Sequence, residues 1–266
     1  MRSFILALCV ALAPASALAL PFTLQGTTPG VTLSSGLDFS SGAYGARQTT
    51  DILVGITDIT VREDDFQLSV SEPYLDIKGP DSVIAGAGGV PVAVRPGAVP
   101  AIRSKRSGWG DLNLSATWSP SGDWTGDYDI ELTGRTKIAT ANAAKGLSSG
   151  ETDFAFSADV SRSFGDWSPF VDLGYRVPGN SSSYAFNSAP SFSVGASWQA
   201  SDRLVAIASY DYDGSISNSL TDSQQLFASL SWIITGRLTA TLYGEMGLSS
   251  GAPRAGTGLL LGWKIL

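Results

Sequence analysis

From Trp109 to Tyr175 the chain repeats one pattern, apolar residue followed by polar residue, over three successive segments. In GDYDIELTGRTKIAT, Tyr128, Ile130 and Leu132 alternate with Asp129, Glu131, Thr133, Arg135 and Lys137. In ETDFAFSADVSRSF, Phe154, Phe156, Ala158 and Val160 alternate with Asp153, Ser157, Asp159 and Ser161. Side chains of an extended chain point alternately to opposite faces, whereas a helix would mix these two sets. Each segment therefore reads as a strand with one apolar medium and one polar medium beside it.

The same reading applied from residue 31 onward gives twelve strand segments: VTLSSGLDFSSGAYG, TDILVGITDITV, DFQLSVSEPYLDI, WGDLNLSATWS, the two above, WSPFVDLGYRV, APSFSVGASWQA, RLVAIASYDYD, QQLFASLSWIIT, LTATLYGEMG and GTGLLLGWKIL. Pro73 cannot donate to a ladder and belongs at a strand end or bulge. The connections at 62–64, 119–123, 165–166, 201–202 and 236–237 are short, and those between them are longer. Strict alternation of tight turns and loops is the connectivity of an up-and-down barrel. An even strand number places both termini at the short-turn rim. The longest unpatterned stretch, 77–108, is rich in Gly, Pro, Ala and Val and carries Arg95, Arg103, Lys105 and Arg106 toward its end. It reads equally as a functional element, folded inward as a constriction or forming an apolar port, and as an exposed surface loop.

A soluble β-sandwich would also alternate, so the aromatic residues arbitrate. Trp118, Trp124, Trp167, Trp198, Trp232 and Trp263 fall beside short turns or near the C-terminus, and Trp109 alone falls at the long-loop end. Tyr44, Tyr74, Tyr175, Tyr210, Tyr212 and Tyr243 fall at or near strand ends leading into long loops, with Tyr184 inside one, and Tyr128 is the exception. Two belts of amphipathic rings mark the two boundaries of a bilayer, where one end of each ring is dry and the other wet. The fold class expected is all-β: an up-and-down antiparallel transmembrane β-barrel of about 12 strands with periplasmic termini. A closed barrel pairs every backbone polar group in lipid without leaving an edge.

Composition changes the picture in three places. Residues 1–19 carry Arg2, the apolar run FILALCVALAPASALA and the small-residue site Ala17-Leu18-Ala19, the marks of a secretory signal peptide. The expected domains are this signal peptide, a short segment over 20–30, and a barrel over 31–266 with 77–108 as a long external loop. The single cysteine, Cys9, lies in the signal stretch, leaving an exported chain without disulfides. The formal charge of −7 and the lack of basic blocks argue against a nucleic-acid partner. The chain holds no histidine, which removes Ser-His and Cys-His nucleophilic machinery and the commonest transition-metal ligand. No enzyme activity, cofactor or metal site is expected. Asp64-Asp65 reads as a solvated turn, and GAGG at 86–89 lacks the strand–loop–helix setting of a phosphate cradle.

The order Tyr44-Gly45, EPYLDIKGP, GWGDLNLSATW, TGRTKIAT, a Gly-rich loop, GETDFAFSADVSRSFGDWSPFVDLGYRVPG and a closing Gly-rich strand resembles the outer-membrane proteins grouped with the meta-pathway of phenol degradation. The resemblance spans about residues 40–266 and is most specific at Pro73-Tyr74, Gly110-Asp111 and Gly174-Tyr175-Arg176. Members of that family usually end in an aromatic residue; this chain ends in Leu266, with Trp263 nearby. The resemblance implies transporter-like passage of hydrophobic or aromatic compounds.

With the apolar faces outward, the lumen would be lined by Asp111, Asn113, Asp129, Glu131, Arg135, Lys137, Asp153, Asp159, Asp172, Arg176, Asp211 and Glu245. In one reading Arg135, Lys137 and Arg176 oppose the acids across an aqueous path and set its field. In the other they pair and fill the interior, which the moderate bore of twelve strands favours. The expected function is an outer-membrane barrel, reached by Sec-type export in a Gram-negative bacterium, that provides or gates passage of small molecules. The alternative is a structural or surface-interaction barrel with a filled, non-conducting lumen. The expected partners are outer-membrane lipid and a small solute, for a chain acting as a monomer.

Overall fold

The structure is a computed structural model, and it describes residues 29–87, 90–93, 103–121, 125–180, 186–217 and 220–266. The signal-peptide reading, most of the 20–30 segment, Trp124 and Tyr184 lie outside the described residues. In chain order the strands are β1 (Gly30–Gly42), β2 (Thr50–Glu63), β3 (Phe66–Ser71), β4 (Tyr74–Pro80), β5 (Val83–Ala87), β6 (Val90–Ala93), β7 (Arg103–Trp109) and β8 (Leu112–Trp118). They continue as β9 (Tyr128–Ile138), β10 (Asp153–Arg162), β11 (Trp167–Val177), β12 (Ala189–Ser201), β13 (Leu204–Asp213), β14 (Ser223–Ile233), β15 (Leu238–Gly247) and β16 (Pro253–Lys264). Helix is confined, among the described residues, to one 3-10 turn at Ala143–Lys145.

All strands except the β5–β6 hairpin pair antiparallel in a single sheet that closes on itself. The closure lies at β1: Thr32 sits opposite Thr60 of β2 on one side and Lys264 of β16 on the other. β3 and β4 are two halves of one wall span, as are β7 and β8, so the barrel has 12 spans. Both breaks fall at the same level for a local reason. Pro73 has no N–H to give, so β2 pairs with β3 through Asp58–Glu63 and with β4 only from Gly55 onward. Across the break the Gly110 N–H donates to the Pro73 carbonyl at 2.7 Å. A side chain at Gly110 would strike the Pro73 ring, its Cβ coming within 2.7 Å of Cγ.

The expected alternation of short turns and longer loops holds except at the β8–β9 connection, where the turn expected over 119–123 extends over 119–127 and is longer than the connections 43–49 and 248–252 of the opposite rim; β1 starts at the rim where β16 ends. The stretch expected as an external loop over 77–108 is shorter. Its ends belong to the β4–β7 ladder, with Lys78 opposite Lys105 and Pro80 opposite Arg103. Between them β5 and β6 form a hairpin that folds into the mouth.

The barrel is apolar outside and mixed inside. Outward residues such as Leu68, Phe156, Leu173 and Leu242 are each more than half exposed. The buried apolar clusters lie inside the long-loop end. A soluble protein arranges these two surfaces the other way round.

Candidate functional site: the barrel interior

Strand pairing sorts the interior into layers, because residues directly opposite one another share a face. At the long-loop end, Ile52, Val54 and Ile56 of β2 and Leu75 and Ile77 of β4 turn inward and are almost fully buried. They pack with Tyr44, Leu147 and, from the hairpin, Val83 and Ala85. On its other side the hairpin places Ile84 against Phe186, Ala189 and Ile216. The hairpin thus stands between the two sides of the mouth, holding an apolar layer together. Arg106, inward on β7, fastens it by donating to the Val83 carbonyl and pairing with Asp81 at 3.4 Å.

Beneath this layer a row of directly opposed inward residues crosses six strands from β9 to β14: Glu131, Asp159, Asp172, Ser193, Asp211 and Gln225. The Ser193 hydroxyl donates to Asp211 at 2.6 Å. One step toward the loops lies a row of small groups, Thr117, Thr133, Ser157, Gly174 and Ser191, followed by Asp213. One step further lie Arg135, Ala155 and Arg176, again directly opposed. The small row leaves room for the arginines to lean toward the acids. Arg176 pairs with Asp213 at 3.0 Å and donates to the Gly214 carbonyl at 3.3 Å, while Arg135 lies within electrostatic reach of Asp172.

The third constellation closes the barrel wall. Above Leu112, which pairs with Ile138, β9 has left the sheet, so the far edge of β7 is covered by the 139–152 segment instead. Asp111 holds that segment. Its Oδ1 accepts from the Thr140 and Ala141 N–H groups at 3.0 and 2.9 Å, and its Oδ2 accepts from Ser148. Lys137 Nζ reaches Asp111 at 2.9 Å, Asp153 at 3.1 Å and the Glu151 carbonyl at 2.9 Å. Asp153 in turn accepts from the Gly179 N–H at 2.8 Å, tying in the next loop.

Each residue proposed for the lumen faces inward. Asp111, Glu131, Lys137, Asp153, Asp159, Asp172, Arg176 and Asp211 are buried, while Asn113, Asp129, Arg135 and Glu245 are half-buried. The structure gathers them into two groups, the Asp111–Lys137–Asp153 network and the acid row with its arginines. Glu245 stands apart, across the barrel on β15. Of the proposed girdle residues, Trp118, Trp167, Trp198, Trp232 and Trp263 are exposed on the outer face near the short-turn rim, and Trp167 stacks on Trp198 with ring centres 5.7 Å apart. Tyr74 and Tyr175 are exposed, and Tyr210 and Tyr212 flank Phe192 on the outer face. Trp109 meets Tyr74 edge to face at 5.4 Å.

Two tyrosines assigned to the loop-end belt belong inside. Tyr243 is 6% exposed and donates to Asp38 at 2.8 Å, its ring lying flat along Gly258, where a Cβ would come within 2.2 Å of it. Tyr44 is 2% exposed and donates to Ser40 at 2.8 Å. It sits at φ 49, a region unfavourable for a non-glycine residue, and burial pushes its phenol above the usual range. Sequence reasoning also missed Asp38, Asp58 and Asp213 on the inner face, and the whole apolar layer. The signal for that layer was present: DILVGI is apolar on both faces.

No family model matches the sequence, and no curated protein matches it. Solved structures do match the fold. A NanC porin superposes with a TM-score of 0.54 at 8% identity, covering 89% of this chain and 100% of that one. The translocator domain of the autotransporter NalP from Neisseria meningitidis superposes at 0.54 with 10% identity, covering 90% and 89%. A KdgM porin superposes at 0.52 with 8% identity, covering 88% and 99%. At such identities the likeness is one of architecture: the chain has the fold of outer-membrane β-barrels.

Proposed function

We propose that the protein is an outer-membrane barrel giving small molecules a gated route, entered through the apolar layer at the loop end and continued by the polar lumen. The observation that carries this reading is the nature of the closing element. What blocks the mouth is a hairpin on a long loop, separable from the wall, because Pro80 and Arg103 at its base are directly paired and could be joined by a two-residue turn. The exposed apolar outer face supports insertion in lipid, with the aromatic rings at its boundaries; termini on the periplasmic side, Sec-type export and a monomeric working unit belong to the same proposal. The porins among the solved structures of this fold support passage in general. Hydrophobic or aromatic solutes are favoured by the apolar mouth and by the resemblance to the phenol meta-pathway family.

The second reading, a filled and non-conducting barrel, is favoured by one observation: Lys137 and Arg176 are each paired with carboxylates at 3.1 Å or closer and are almost fully buried. Planar-bilayer recordings separate the two. The intact protein should conduct in brief openings, and a variant with residues 81–102 replaced by Asn-Gly should conduct steadily. A correctly folded variant as impermeable as the parent would remove the passage reading and leave the filled barrel.

A further inference from the structure

Among the described residues, few cations stand beside Asp159 and Asp172, the two acids at the middle of the row. Lys137 is committed to Asp111 and Asp153, and Arg176 to Asp213. Among the described residues, the further cation beside the row is Arg135, within electrostatic reach of Asp172. Asp159 is directly opposed by Glu131 on one side and Asp172 on the other, so three carboxyl groups stand side by side on adjacent strands. Like charges directly opposite one another on a sheet are destabilising, and a sheet built only for stability avoids them. Asp159 is 4% exposed and Asp172 1%, and Oδ2 of the first and Oδ1 of the second are buried without a hydrogen-bond partner.

A carboxyl group without a partner is costly in a dry interior and is relieved by water or by a cation that enters beside it. On the far wall the carboxyl groups of Asp38 and Glu245 also turn inward, the first accepting from Tyr243. A lumen lined predominantly with one sign of charge between low-dielectric walls concentrates the opposite ion.

We propose that the opposed carboxyl groups of Glu131, Asp159 and Asp172 make the barrel a passage for cationic and neutral small molecules that excludes acidic ones. This rests on the passage reading above and names its solute class. The test is the zero-current potential across a planar bilayer in a KCl gradient near 0.1 M, where the screening length is still about 10 Å. Recordings are made on the intact protein, on the 81–102 deletion, and on each carrying Asp159→Asn and Asp172→Asn, with folding checked by heat-modifiable migration. The parent lumen should pass K+ over Cl− by at least about threefold. The two substitutions, which keep side-chain shape, should bring the ratio close to one without abolishing conductance. Conductance that is unselective or anion-selective, or a ratio unchanged by the substitutions, overturns the proposal while leaving passage intact. If neither the intact protein nor the deletion conducts, the passage reading fails and this inference with it.

Discussion

At the scale of single residues, the interior shows how a barrel tolerates buried charge. Lys137 has an acid on either side and two further oxygens within reach, so its ammonium is almost completely coordinated. Replacing it with methionine leaves Asp111 and Asp153 buried without their cation. Loss of one partner from a buried pair typically costs about 3–5 kcal/mol. Lys137→Met should therefore lower the unfolding free energy in lipid vesicles by about that amount, and should expose the 139–152 segment to proteolysis in the still-folded barrel. An unchanged urea midpoint with an uncut segment would show that the network does not hold the wall. The residue chemistry here was partly legible: strand alternation alone put Asp111, Lys137 and Asp153 on the inner face. That they meet was not, because Asp111 reaches them from the interruption between β7 and β8, which periodicity cannot register.

At the scale of strands, the inner and outer faces have different tolerances. Leu242, at the centre of β15, points outward and is 56% exposed, whereas Thr241 beside it is buried and shares a hydroxyl contact with Ser231 at 2.8 Å. A cation on the lipid face at mid-bilayer costs about 2–4 kcal/mol. Leu242→Arg should show that cost when folded into vesicles, while Leu248→Arg, beyond the strand end and among the loops, should cost far less. Equal effects at the two positions would argue that no hydrocarbon layer surrounds β15.

The strands that sequence patterning described best are those with pure faces, β9 and β10, where every assignment of side was met by the structure. It described β2 least well. There Ile52, Val54 and Ile56 turn inward while Leu53 and Ile59 turn outward, so both faces are apolar and the period-two signal fades. The loss of alternation was itself informative. It marks where the lumen wall meets the hairpin, and where a strand is buried on one side by protein and faces outward on the other.

At the scale of the whole molecule, the chain encloses two different interiors in one wall. The number of spans and the shared rim of the two termini follow from local sequence, since each strand declares its faces; the β8–β9 connection, expected over 119–123 and found over 119–127, shows that a turn does not always declare its length. The inward fold of the β5–β6 hairpin does not follow from local sequence. It depends on Val83 and Ile84 finding apolar partners contributed by β2, β4 and loops more than a hundred residues further on. Tyr44 and Tyr243 were misplaced for a related reason, since a ring near a strand end can point either way. Tyr243 shares the inward face of Asp38, both lying opposite Gly258, whereas Tyr44 lies beyond the end of β1 at positive φ, where strand parity does not apply.

Everything rests on the outer face touching lipid and the inner face not. Spin labels placed singly along β14, from Gln225 to Ile233, in vesicle-reconstituted protein test this most directly. Positions 226, 228, 230 and 232 should be accessible to molecular oxygen dissolved in the bilayer, and positions 225, 227, 229 and 231 should be shielded from it. An accessibility profile without period two, or one with its phase reversed, would contradict the account.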